Sequence, residues 1–561
     1  MNRRTTLILA AVASLGGLLY GYDLGIISAA LLYLGKCMRL TEEQTGWLAS
    51  AVMLGALASS LIGGGLADFI GRKKAMIASG FVFVVSVAMI VFSDSFPMLF
   101  AGRAMQGLSA GMIAVVVPVY MTECAPPKIR GVTSTMFQLC ITIGIFVAMV
   151  TGWWYTAGVD AGVKAAVGDA AKVLAVQDHA WRMMFASSAY PALVFIVIAF
   201  LVSESPRWLF KHGKKDVAMR VLRASRDPAQ AELEVREMEE LGVGSQARSK
   251  TSGDSLLQRR YLLPLVLAIT LLGINQATGI CAVLTFPAVM LSQAGMTAAG
   301  AAQAGVWMAL VNVVFTIPGV LLVDRLGRKW LLKIGTGIIL LALGVGIWTY
   351  HKTEAGLVDV TTALSAQVHD NTLTVPVKDI APNDAAVTQV SVRYALGGKE
   401  QPLLHLRSDA ENPVLEIEAG AQGAKLEILH AKFSAAPSQT DGRIIFVCLL
   451  LYLVGFCFGP GVCLWLMSAE LLPTRVRSMG MGLGVLGNAG VTVATTSLFL
   501  PIVGNFGYAA MWACWFVCTA VYFAFAAFVL PETKGKTLEE IEAHFAKDRH
   551  AGEASAIKAA A

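Results

Sequence analysis

Asp23 stands in the run Leu18-Leu-Tyr-Gly-Tyr-Asp23-Leu-Gly25, the one acidic residue deep inside its apolar stretch. An ionised carboxylate in such surroundings is costly, so it marks a functional position or a paired charge. Burial favours the protonated form and a neighbouring cation favours the ionised one. A carboxyl held between the two can gain and lose a proton. Arg103, in Phe100-Ala-Gly-Arg103, is the expected cation. It lies near one end of its own apolar stretch, where its head could also snorkel toward water. Protonating Asp23 would release Arg103, which is chemistry suited to a switch. The alternative is a fixed structural ion pair.

Other polar residues are stranded in apolar stretches: Gln138, Asn275, Gln276 and Asn488. An amide offers donors and acceptors together, which suits a hydroxyl-rich ligand. Trp465 follows the Gly459-Pro460-Gly461 break and could stack on a sugar ring. Each has a plainer reading as well. The amides could make interhelical hydrogen bonds, and the tryptophan could simply pack.

A third set of charges recurs along the chain. Asp68-Phe-Ile-Gly71-Arg72-Lys73 has its counterpart in Asp324-Arg-Leu-Gly327-Arg328-Lys329. Glu123 and Arg130 are matched by Glu470 and Arg477, seven residues apart in both cases. These eight residues are expected to pair across two halves and latch a gate, a bistable contact of the kind alternating access requires. Orientation signals at a membrane surface are the plainer alternative. The order of the motifs implies two six-span halves in parallel repeat.

Twelve apolar stretches must position these groups: 5–34, 44–66, 75–93, 97–121, 131–152, 181–202, 259–293, 300–323, 331–350, 443–467, 479–501 and 508–530. Each is long enough to cross about 30 Å of hydrocarbon. They lack the alternation of a barrel, so they must be helices. Hydrophobic residues make up 56% of the 561 residues and charged residues 15%. A soluble domain is nearer about 25% charged, so that class is excluded. The net charge of +6 is modest, and the basic residues cluster at short loops. That suits membrane orientation rather than nucleic acid. Arg72 to Lys74, Lys128 and Arg130, Arg325 to Lys329, and Arg475 and Arg477 share one side. The opposite short loops carry no Lys or Arg, so the basic side and both termini are expected to be cytoplasmic. Met1-Asn2-Arg3-Arg4 leads straight into the first span, which reads as a retained helix.

Nine cysteines lie in or beside apolar runs without metal-ligand spacing, and eight histidines sit in loops or tails. No metal centre, cofactor or catalytic constellation is expected, and the chain does not read as an enzyme. Three hydrophilic segments remain. Residues 153–180 are expected as an outside loop. Residues 205–258 are charged, with short amphipathic helices over 214–241 that turn Leu222, Leu233 and Met238 to one side. Residues 351–442 alternate like strands at 372–375, 390–394, 403–406, 414–418 and 425–429. Asp68 to Glu123 is 55 residues and Asp324 to Glu470 is 146, an excess of 91 that this segment supplies. It is therefore an insertion and not an extra pair of spans.

These residues resemble the sugar porters of the major facilitator superfamily, which include bacterial xylose–proton symporters and facilitative glucose carriers. The likeness covers nearly the whole chain except 351–442. It rests on Gly21-Tyr22-Asp23, the Gly-Arg-Lys loops, and Pro118-Val-Tyr120-Met-Thr-Glu123 with Arg130-Gly131. It continues in Glu204-Ser-Pro-Arg207-Trp208-Leu209 and Pro531-Glu532-Thr533-Lys534-Gly535. The resemblance implies a central cavity with sugar-binding positions on Gln138, Asn275, Gln276, Cys281, Trp465 and Asn488. It also implies that Asp23 with Arg103 couples proton to sugar. The chain departs from the family in its seventh span. Cys281 and Leu284-Thr285-Phe286 stand where relatives have a further amide and paired tyrosines, and Ala489 follows Asn488. A pentose, a hexose and a cyclitol all stay open.

The expected whole is an all-α membrane protein with twelve transmembrane helices. Its halves are 1–204, and 259–350 with 443–530. A cytoplasmic helical segment spans 205–258, a β-rich extracytoplasmic domain spans 351–442, and a tail spans 531–561. Proton-coupled symport of a monosaccharide or related polyol is the expected activity, by a monomer in a bacterial inner membrane. Its partners are the sugar, the proton and the bilayer, without nucleic acid. The alternatives are a proton-independent facilitator, against which Asp23 argues, and a sugar sensor, for which the tail offers no signalling module.

Overall fold

In the computed structural model the apolar stretches fold as long helices, because a helix satisfies its own backbone groups where water is absent. The structure describes residues 3–124, 130–165, 169–225, 231–232, 235–236, 259–354, 356–369, 371–380, 387–401, 404–408, 413–417, 425–435, 438–472 and 477–534. The first half comprises α1 (Arg3–Cys37), α2 (Glu42–Ile70), α3 (Arg72–Val91), α4 (Phe96–Cys124), α5 (Arg130–Ala165), α6 (Ala170–Ala186) and α7 (Ala189–Leu201). Short helices α8 (Pro206–Lys211) and α9 (Lys215–Ser225) follow. The rest of the 205–258 segment lies almost wholly outside the described residues, Leu233 and Met238 included. The second half begins with α10 (Arg259–Ala277), α11 (Ile280–Thr285), α12 (Pro287–Gln293), α13 (Ala298–Leu326) and α14 (Arg328–Glu354). After α15 (Thr361–Ala366) it resumes with α16 (Gln439–Phe458), α17 (Pro460–Leu471), α18 (Arg477–Ser497) and α19 (Phe499–Ala524), which ends in a π turn over Phe525–Val529.

Among the described residues, 10 helices are long and apolar enough to cross a membrane, or 11 if Glu42–Ser59 and Leu61–Ile70, bent by 49°, form one span. The stretch expected at 479–501 lies mostly on α18, which is not among them. Its five glycines, Asn488 and a run of threonines dilute its apolar character. The expected seventh span is broken twice, at Gly279 with φ 93° and before Pro287. The tenth is broken before Pro460. Proline lacks an N–H and so begins a new helix where it cannot continue the old one. The expected loop over 153–180 is instead largely helical. α5 runs on to Ala165, and α6 starts at once behind an Asp169 cap that accepts from Lys172 N. Buried Val159 and the contact of Gly162 with Val176 hold these helix ends together.

Close packing of α1 on α5 is written in its spacing. Gly17, Gly21 and Gly25 recur every fourth residue. A Cβ on any of them would strike α5 backbone at Phe137, Ile141 or Ile145. Small residues at this period let two helix backbones meet.

The apolar cores show how the halves sit together. The largest core joins them, combining Tyr22, Ile26, Leu34, Trp181 and Phe185 with Ile280, Phe286, Tyr350, Tyr452 and Trp512, and a small one packs Ile145 and Met149 against Ala309. The largest lies at the end away from the basic loops. Toward the basic loops the cores separate. One holds residues of the first half alone, Leu19 to Val202, and another holds residues of the second half alone, Leu267 to Leu530.

The 351–442 segment contains β1 (Val358–Asp359), β2 (Leu373–Pro376), β3 (Thr388–Leu396), β4 (Lys399–Glu400), β5 (Leu404–Arg407), β6 (Val414–Ile417) and β7 (Leu426–Ala435). All five expected strand regions overlap a strand. Five strands form one antiparallel sheet in the order β1-β7-β3-β4, with β5 also on β3, while β2 pairs with β6. Val390, Val392, Ala431 and Phe433 face a small core with Leu364, Leu373 and Leu415. The alternate residues face the helix ends.

Two outcomes follow from this packing. Gly21→Val should cost about 2 kcal/mol by overpacking and lower the melting temperature in detergent; an unchanged melting temperature would show that the α1–α5 contact yields freely. Val358 and Asp359 pair with Phe433 and Lys432, so the ends of the segment lie side by side. Replacing 360–431 by a two-residue turn should leave monodisperse protein, and aggregation of that variant would show that the helices depend on the insertion to fold.

Candidate functional site

Arg103 and Asp23 meet inside the first half. Arg103 Nη1 donates to Asp23 Oδ1 at 2.8 Å and to Gln106 Oε1 at 2.7 Å. The two charged side chains are 2% and 1% exposed. Arg103 thus does not snorkel. It lies two turns into α4, and its guanidinium sits over the Phe185 ring, 5.2 Å from the centroid. Asp23 Oδ2, Arg103 Nε and Gln106 Nε2 have no hydrogen-bond partner among the described residues. A buried polar atom without a partner is uncommon and costly. Here the open position is a carboxylate oxygen able to take a proton. Gln106, three residues from Arg103 on the same helix face, was legible as a polar residue in an apolar stretch.

A second cluster forms where the seventh span breaks. Gln276 Nε2 reaches Asn488 Oδ1 at 3.5 Å, and Cys281 Sγ reaches Gln276 Oε1 at 3.3 Å. Asn488 Nδ2 donates to the Leu272 carbonyl at 3.0 Å, tying α18 to α10. Both polar atoms of the Asn275 side chain are buried without a partner among the described residues. Tyr452 donates to the Thr278 carbonyl at 3.0 Å, and Asn312 Oδ1 accepts from Cys457 Sγ at 3.3 Å. Tyr452 and Asn312 carried the same signal as the chosen amides, a polar group within an apolar run. Gln138 lies on α5 and Trp465 on α17, and their side chains are outside the described residues.

The recurring charges form two matching clusters at the basic end. In the first half Arg72 pairs with Asp68 at 2.6 Å and with both oxygens of Glu123 at 3.0 Å. In the second half Arg328 Nη2 donates to Glu470 Oε1 at 3.1 Å. Cross-half pairing was expected, but these ion pairs lie within one half each. The reason is local: each arginine begins a helix beside the end of the acid-bearing one. The side chains of Arg130, Asp324 and Arg477 lie outside the described residues. Two acids given no role in the sequence complete the clusters. Glu204 accepts from Arg72 N and Lys73 N at 2.9 and 3.1 Å. Glu532 accepts from Arg328 N and Lys329 N at 3.2 and 3.1 Å. Each carboxylate therefore caps a helix N-terminus, where the dipole favours negative charge. Gly71 and Gly327, at φ 100° and 91°, turn the chain into those helices. Among the described residues no group of three His, Cys, Asp or Glu side chains could hold a metal ion.

Comparison with known proteins extends over the same elements. The profile of the family described as "Sugar (and other) transporter" matches residues 9–366 and 426–545, leaving out most of the β-rich segment. The chain is 28% identical over 535 residues to a probable metabolite transport protein, CsbC, of Bacillus subtilis, covering 95% of this chain and 93% of that one. It is 25% identical over 545 residues to an arabinose-proton symporter of the same organism, covering 96% and 94%. In fold it is similar to the inward open conformation of the xylose transporter XylE from E. coli, with a TM-score of 0.65, 21% identity, and 95% and 98% of the two chains covered.

The capping carboxylates are open to test. Glu204→Ala should destabilise the detergent-solubilised protein by about 1–2 kcal/mol, seen as a lower melting temperature, with Glu204→Gln losing less. Equal melting of all three proteins would mean that water replaces the cap without cost.

Proposed function

We propose, from the premise that the chain belongs to the sugar (and other) transporter family, that it is a proton-coupled symporter of a monosaccharide or related polyol. The observation that carries this reading is the Asp23–Arg103 ion pair, with both side chains buried in the interior. Protonating Asp23 weakens its hold on Arg103 and leaves the guanidinium buried without its counter-charge, which favours a rearrangement of the helices around it. The substrate site is the cluster of Gln276, Cys281 and Asn488 beside Asn275, and the family resemblance adds Gln138 and Trp465 to it. Its amides suit hydroxyl groups.

Alternating access supplies the movement. The joined core at one end and the separate cores at the other fit a carrier whose central site opens toward the basic loops. Basic loops favour the cytoplasmic side, so this state faces inward, with twelve spans in two halves, both termini inside and the β-rich segment outside. Arg72 with Asp68 and Glu123, and Arg328 with Glu470, would then form the inner gate clusters. Symport of arabinose by a relative of similar length supports sugar and proton together.

Liposome uptake tests the reading across pentoses, hexoses and inositols. One pH unit of inward proton gradient is worth about 1.4 kcal/mol, so one-to-one coupling should concentrate the right ligand up to about tenfold. Asp23→Asn should equilibrate the ligand without concentrating it. If wild type and variant both equilibrate it equally fast, the protein is a facilitator.

A further inference from the structure

The β sheet belongs covalently to the second half, since it lies between α14 and α16. Its polar face nevertheless reaches the first half. Gln389, Ser391 and Arg393 on β3 stand opposite Ser434, Lys432 and His430 on β7. These six side chains line one wall of a cavity of about 190 Å³ between the sheet and the helix ends. Arg393 is the residue that spans it. Its Nη2 donates to the carboxylate of Glu42, in the first turn of α2. Its Nη1 donates to Asn505 Oδ1, on α19, at 2.9 Å. Lys432 Nζ reaches the Asn505 carbonyl at 3.5 Å. The loop around Asn505 is itself fixed, because Glu354 accepts from Tyr508 N at 2.6 Å beside the kink at Gly507.

One guanidinium therefore touches a residue from each half, at the end where the halves share a core. Among the described residues, Arg393–Glu42 is the ion pair that joins the two halves. The side chains are 18% and 20% exposed, so solvent screens the pair less than one at the open surface.

We propose that the insertion is an outer strap: Arg393, by bridging Glu42 to Asn505, holds the ends away from the basic loops together. This rests on the alternating-access reading above. Parting those ends separates Glu42 from Asn505, and one guanidinium cannot follow both. A contact present in one state and absent from the other shifts the population by its own free energy. The strap thus biases the carrier toward the inward-facing state and makes outward opening less frequent.

Native Cys281, partly exposed in the central site, reports opening in the full-length protein. Its reaction with a membrane-impermeant maleimide is followed peptide by peptide, in vesicles of both orientations. Arg393→Ala and Glu42→Ala should each raise labelling from the insertion's side by about two- to fivefold, the range for a partly screened ion pair. Labelling from the other side should fall. The double variant should add nothing to either single one, and the charge swap Arg393→Glu with Glu42→Arg should recover part of the wild-type rate. Unchanged labelling in monodisperse single variants overturns the strap, and so do additive effects in the double variant. Uptake by the wild type is read in parallel and judges the symport reading by itself. Shifted labelling without uptake supports the strap and removes symport, whereas uptake with unshifted labelling does the reverse.

Discussion

Asp23 and Arg103 sit 2.8 Å apart with almost no exposure to solvent, between helices whose other side chains are mostly apolar. Losing either partner would leave a buried charge uncompensated, at a cost of about 3–5 kcal/mol. The first half is arranged to keep them together. Glycines at every fourth residue bring α1 onto α5, which leaves the carboxylate directed at α4. Phe185 covers the guanidinium and Gln106 fills one of its remaining donors. A charge pair so enclosed is shielded from water by the packing around it.

The two halves solve one packing problem twice and then share a third core. At the basic end each half has its own apolar cluster, capped by an arginine paired with an acid and by a carboxylate at a helix N-terminus. Those contacts are internal to a half. The joined core at the opposite end draws residues from both halves. The helix breaks at Gly279, Pro287 and Pro460 fall between these regions. They leave Gln276, Cys281 and Asn488 facing one another, as irregular backbone does where it lines an interior site. The β-rich segment adds to this plan without interrupting it. Its ends return side by side, so a fold of its own fits between two helices. Its charged face then lies on the same surface at which the halves are joined, and there it gains a contact that neither bundle could make alone.

Much of this was legible in the residues themselves. Apolar run lengths gave the helices, and the paired motifs gave the repeat. Alternation gave the strands in 351–442, and an isolated aspartate in an apolar stretch gave the need for a cationic partner. These are local signals, because helix and strand period, the turn into a helix and the cost of an unpaired charge depend on near neighbours. Glu204 and Glu532 stood in the sequence within recognisable motifs, but nothing local said that they cap helices 131 and 203 residues away. The extended helices at 153–180 were read as a loop because their composition is mixed, whereas an Asp169 cap and packing at Val159 and Val176 accompany them in the fold. Sequence alone thus determined the class of element, the repeat and the residues too costly to leave unpartnered. Tertiary structure decided which of them meet: Asp23 with Arg103 across 80 residues, Gln276 with Asn488 across 212, and Arg393 with Glu42 across 351. The physical reason is that a contact between distant segments is set by how whole helices pack, and no spacing within either segment records it.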